Sequence, residues 1–214
     1  MLSQAEKGGV QNTIQNCVTV LQNDPVLADS IRLNLLSERI DIVKPMGWQR
    51  SGPTLTDTDM MYILRRMEKY GLYSEKRVSA AIRIVANENH YHPIRDYLND
   101  LKWDGTERIS HALHRFLGAA EDELTAEALK IFLLGAIKRV FHPGCKFEMM
   151  LCLVGGQGAG KSSFFRLLAI KDEWFSDDLR RMDDDNVFRK LQGHWIMEMS
   201  EMIATANAKS IEEI

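Results

Sequence analysis

The run Gly155-Gly156-Gln157-Gly158-Ala159-Gly160-Lys161-Ser162 has the residue types and spacing of a loop that cradles phosphate. Glycine lets the backbone curl until several N–H groups converge on one anion, and Ser163 adds another N–H at the start of the helix that should follow. Lys161 is long enough to reach the β and γ oxygens of a nucleoside triphosphate, and the Ser162 hydroxyl suits the accompanying Mg²⁺. The expected ligands are therefore ATP and Mg²⁺. A second chemical element is Gly193-His194-Trp195-Ile196-Met197-Glu198-Met199-Ser200-Glu201. Phosphoryl transfer needs a carboxylate to order the Mg²⁺ shell and a group to position the attacking water. Glu198 and Glu201 are the candidates, and spacing leaves open which of them orients water. Lys161, Glu198 and Glu201 are thus the expected catalytic residues, with Ser162 and Glu198 at the metal.

Such a loop must leave a buried strand and enter a helix. The stretch Phe147–Val154 is apolar enough for the strand and would bury Cys152, while Ser163–Leu168 places apolar residues at helical spacing. Trp174–Asp177 reads as a further short strand, and Gly193–Met199 as the strand that delivers the acids. Asp183, Asp184 and Asp185 precede the short helical pattern Val187–Leu191 and read as acids that favour its dipole rather than as metal ligands. From residue 146 onward the expected fold is an α/β phosphate-loop NTPase core with a parallel sheet.

Ahead of it, residues 1–102 read as a mainly helical domain and 103–145 as a helical connector. Ile31, Leu33, Leu35 and then Ile40 and Ile42 alternate, which predicts a small β-hairpin turning near Ser37-Glu38. Thr56 to Asp59 supplies a helix start, with Met60, Ile63, Leu64 and Met67 on one face and Gly71 as the stop. A second helix should start at Ser74 and bury Val78, Ala81, Ile82 and Val85. Two helices on a short link beside a hairpin resemble a winged helix-turn-helix. Residues 60–85 carry six basic residues against two acidic ones. Arg65, Arg66, Lys69, Lys76 and Arg77 are therefore the candidate DNA contacts, single- or double-stranded, with a solvated amphipathic helix pair as the plainer reading. His90, His92, His111 and His114 lack the cysteines or carboxylates that would complete a metal set, and read as structural histidines.

The 214 residues carry a formal charge of −3 and 45% hydrophobic residues, which excludes a globally basic nucleic-acid binder but not a local basic face. Cys17, Cys145 and Cys152 show no disulfide or metal spacing. No leader or long apolar span is seen, so a cytoplasmic protein without membrane contact is expected.

Several motifs in one order carry a family resemblance. They are Asn89-His90-Tyr91-His92-Pro93-Ile94-Arg95-Asp96-Tyr97-Leu98, Trp103-Asp104-Gly105-Thr106-Glu107-Arg108-Ile109, Phe141-His142-Pro143-Gly144-Cys145-Lys146, Gly155 to Ser162, and Gly193 to Glu198 with Glu201. From about residue 55 onward the chain resembles the virulence-associated protein E family of phages and prophages. The ATPase core of that family is similar to superfamily-three helicases and primase-helicases. The resemblance implies an ATP-driven, ring-forming homo-oligomeric motor acting on DNA in phage or mobile-element replication. It also implies a later strand with a polar sensor and an arginine finger. The sequence given ends at Ile214, about a dozen residues after Glu201, so a fragment or a degenerate copy with an incomplete core and poor hydrolysis is expected. Two other function classes stay open: a non-enzymatic DNA-binding or assembly module, and a small-molecule phosphotransferase.

Overall fold

The alternating residues at 31–42 form an antiparallel hairpin, β1 (Ile31–Asn34) and β2 (Arg39–Ile42), with Ile31 opposite Ile42 and Leu33 opposite Ile40. Its loop is closed by a side chain rather than by glycine. The Asn34 carboxamide oxygen accepts from the N–H groups of Leu36 and Ser37 at 3.0 and 3.3 Å, while Glu38 takes a φ of +54°. This computed structural model describes residues 2–4, 9–179 and 187–199. Glu201, Asp183, Asp184 and Asp185 lie outside the described residues. The chain divides into two compact units, Met1–Pro93 and Ile94–Ile214.

In the first unit, helices α1 (Ile14–Asn23) and α3 (Glu75–Glu88) pack on each other, and α3 also packs on β1. Helix α2 (Asp57–Met67) starts with a reciprocal capping box. The Thr56 hydroxyl accepts from the Asp59 N–H, and the Asp59 carboxylate accepts from the Thr56 N–H. One 3₁₀ turn then ends at Gly71, whose φ of +76° is open to glycine at little cost. Ser74 occupies the N-cap position of α3 without a capping hydrogen bond from its side chain. The stripe Val78, Ala81, Ile82 and Val85 closes over Ile63, Met67, Leu21 and Ile31, all buried. Each fully buried aliphatic side chain contributes about 1.5–3 kcal/mol.

Asp59 does more than cap. Its buried carboxylate accepts from Trp48 Nε1 at 2.7 Å and from Arg50 Nε at 2.8 Å. Burial alone would raise its pKa, but the Arg50, Trp48 and Thr56 donors win and hold it well below the usual carboxylate range. An unfolded aspartate titrates near about 3.9, so as pH falls the unfolded chain takes up the proton first. The stabilisation is therefore complete above that value and is lost as pH drops below it. Arg50→Met strands a buried charge and is expected to cost this unit about 3 kcal/mol, read by urea denaturation at pH 7. At pH 2 the difference between the two proteins should be smaller.

The second unit begins at Ile94, and helix α4 (Pro93–Asp100) is anchored within it. Ile94 is fully buried, Arg95 Nε donates to the Val140 carbonyl at 2.7 Å, and Tyr97 packs edge-on to Trp174. Helices α5 (Ile109–Leu117) and α6 (Glu123–Phe141) then pair as a hairpin. Helix α7 (Lys161–Leu168) follows the glycine loop and contacts β3 (Phe175–Ser176) and β4 (Ile196–Met197), which run parallel with Phe175 opposite Ile196. Helix α8 (Val187–Leu191) lies between them in sequence.

The expected buried strand before the glycine loop is not formed. Residues 147–154 have neither strand nor helix geometry, Cys152 is exposed and Val154 is 87% exposed. A strand needs a ladder partner, and among the described residues β3 and β4 pair only with each other. A one-sided alternation survives: Leu151 and Leu153 pack on the Leu113, Leu129 and Phe164 cluster, while Cys152 and Val154 face outward.

Candidate functional site

Gly158 and Gly160 take φ values of +78° and +82°, a left-handed backbone that a side chain would strain, and Gly160 is the N-cap of α7. The loop 155–160 thus turns sharply into a helix whose first N–H groups lack intrahelical partners. Phe164 and Phe165 are the buried anchors of α7: Phe164 joins the cluster with Leu113 and Leu129, and Phe165 meets Phe132 edge-on at 5.8 Å. Arg166 reaches from α7 to Asp177 at 3.4 Å and stands 4.9 Å over the Phe175 ring, tying α7 to β3.

Lys161 folds back across the loop. Its ammonium donates to the carbonyl oxygens of Gly155 and Gly156, each at 2.8 Å. Ser162 points to the sheet side, where its Oγ donates to Glu198 Oε1 at 2.7 Å across 36 residues of sequence. Glu198 is fixed by its own backbone, whose N–H donates to the Ser176 carbonyl at 2.8 Å and so extends the parallel ladder past β4. Its second oxygen, Oε2, is buried with no hydrogen-bond partner among the described residues. An orphaned buried carboxylate oxygen beside a serine hydroxyl is a hard-oxygen donor set, and it fits Mg²⁺. Among the described residues no three His, Cys, Asp or Glu side chains gather to hold a metal. Mg²⁺ takes one or two protein oxygens and completes its shell with phosphate and water.

Both halves of this arrangement lean on α6. Gly135 is buried, and a Cβ there would overlap the ring of Phe147, which begins the lead-in to the glycine loop. One residue on, the Ala136 carbonyl accepts from Trp195 Nε1 at 3.2 Å, just ahead of β4. Trp195 also packs edge-on to Trp174 at 6.3 Å, and its backbone N–H donates to the Trp174 carbonyl. Sequence reading missed Gly135, Phe147 and Trp195 as positioning residues. The available signal was a lone glycine inside an otherwise apolar helix. Gly135→Val should expel the Phe147 ring and cost about 2 kcal/mol as an overpacked contact, read as a lower melting temperature.

The basic candidates lie on the first unit and differ in their partners. Arg65, Lys69 and Lys76 are exposed, with the Arg65 guanidinium 5.3 Å over the Tyr62 ring. Arg66 is used inside the unit: its Nε donates to the buried Asp24 carboxylate at 2.5 Å, and Tyr70 donates to the other oxygen at 2.7 Å. Burial would raise the Asp24 pKa, but Arg66, Tyr70 and the Val26 and Leu27 N–H groups lower it on balance. Arg77 donates to the Asn12 carbonyl.

A family model described as the virulence-associated protein E-like domain matches residues 98–214, more than half of the chain. The chain belongs to the virulence-associated protein E-like family. A search of curated proteins returns no match. The matched family span holds the whole glycine loop, Ser162, Glu198 and the α6 positions behind them, whereas Arg65, Lys69 and Lys76 precede it. No helix among the described residues of this family member is long and apolar enough to cross a membrane.

Proposed function

We propose that this chain binds Mg²⁺-ATP in the loop Gly155–Ser163 and serves as the ATPase of a helicase-like motor in phage or mobile-element DNA replication. The observation that carries this reading is the contact of Ser162 with Glu198, whose second oxygen is buried and unpartnered among the described residues. In this reading residues from 146 onward form an α/β phosphate-loop core, which assembles as a homo-oligomeric ring in the cytoplasm. Backbone N–H groups from Gly156 to Ser163 hold the phosphates, and Lys161 exchanges the Gly155 and Gly156 carbonyls for phosphate oxygens. Ser162 and Glu198 hold the metal. Bound Mg²⁺ would neutralise charge that builds on the transferring phosphoryl group. Glu201 is the candidate to orient water and lies outside the described residues. Arg65, Lys69 and Lys76 are the DNA contacts best placed by their exposure.

The ladder-free lead-in at 147–154 favours a second reading, nucleotide binding without turnover in a non-enzymatic assembly module. Calorimetry with Mg²⁺-ATP, combined with phosphate release with and without single-stranded DNA, separates the two. DNA-stimulated release supports the motor, and binding without release supports the module. Absence of binding overturns both.

A further inference from the structure

On the first unit, β2, the Thr54-Leu55 segment beside it, the start of α2 and the middle of α3 enclose a hollow of about 320 Å³. Its floor is aliphatic, formed by Ile40, Leu55, Met60 and Ile82. Arg39 and Arg83 line its rim. Both are exposed, and neither guanidinium has a hydrogen bond or ion pair among the described residues. This contrasts with Arg50 and Arg66 of the same unit, which are held by the buried Asp59 and Asp24.

Two unpaired guanidinium groups over an apolar floor define the chemistry of an occupant. It must carry anionic groups that offer two oxygens to a guanidinium fork, and between them a compact apolar group. Carboxylates and phosphates both meet the first condition. The floor decides between them. Bases of a nucleic acid strand gain their binding energy by stacking on aromatic rings, and no aromatic residue among the described ones lines this hollow. An aliphatic floor suits an aliphatic side chain, and the volume is at the small end for ligand pockets, enough for one or two side chains.

We propose that this hollow docks an acidic peptide segment of a partner protein. The peptide seats a leucine- or isoleucine-sized side chain on Ile40, Leu55, Met60 and Ile82 and sets carboxylates on Arg39 and Arg83. The site precedes the family-matched span.

The test uses the full chain and a fluorescein-labelled peptide of alternating glutamate and leucine, followed by fluorescence anisotropy at low salt. The wild type is expected to bind, and the Arg39→Glu/Arg83→Glu double variant to bind about tenfold more weakly or worse, as for paired interface arginines. Both side chains are exposed and unpartnered, so the melting temperature should not move. Ser79→Trp fills the hollow from α3 without changing charge, and should produce the same loss. Equal binding by wild type and double variant would overturn the proposal. So would equal affinity for a peptide with serine in place of leucine, since that leaves only nonspecific charge attraction. Displacement of the peptide by oligo(dT) from the wild type, absent in the double variant, would overturn it in favour of a nucleic-acid groove.

Discussion

Lys161→Ala is expected to weaken Mg²⁺-ATP binding by about a hundredfold, because hydrogen bonds to charged groups contribute about 1.5–3 kcal/mol each and the ammonium offers more than one. The variant should stay folded. Among the described residues the Lys161 ammonium bonds only to the Gly155 and Gly156 carbonyls, while α7 is anchored through Phe164 and Phe165. Those two bonds also make a second expectation. An ammonium already held 2.8 Å from two carbonyls must give them up to phosphate, so part of its gross attraction is offset in the wild type. Lys161→Arg keeps the charge but not the compact ammonium, and is expected to recover only part of the affinity. Calorimetry on the three proteins decides the matter: equal affinities would mean that the triphosphate does not contact this loop.

What could be read from the sequence and what could not follows from how local each signal is. The hairpin at 31–42 and the stripe of α3 come from residues two, three or four apart, and periodicity reports them directly. The glycine loop likewise carries its own conformational demand at Gly158 and Gly160. Arg66 shows the opposite situation. In sequence it belongs to a basic helix face, yet its partner Asp24 lies 42 residues away, and only the fold turns a candidate DNA contact into half of a buried pair. The same holds for Gly135. A glycine inside an apolar helix says that something approaches closely, but not that the visitor is Phe147. The stretch 147–154 misleads for a different reason: an apolar run states a preference for burial, and a strand exists only where a neighbouring ladder accepts it.

Ser162 and Glu198 are far apart in sequence and joined by one hydrogen bond, so their coupling is measurable. Glu198→Gln keeps an oxygen that can accept from Ser162 Oγ, but it places an amide or a neutral oxygen where the buried Oε2 has no partner among the described residues. A neutral amide removes the negative charge that a divalent cation needs. The variant should therefore lose about 10- to 100-fold in Mn²⁺ affinity in the presence of a nonhydrolysable ATP analogue, the range found when the groups supporting a metal are altered. Metal-free nucleotide affinity should hardly change or should rise slightly, since a carboxylate near the phosphates repels them. Electron paramagnetic resonance of Mn²⁺ reads this without any turnover. Ser162→Ala alone should weaken the metal less, because water can replace a hydroxyl ligand but not a charge. The double variant should then fall short of the sum of the two single losses, as expected for two groups acting on one ion. Strict additivity would mean that the hydrogen bond between them is structural and that the metal, where it binds, is held elsewhere.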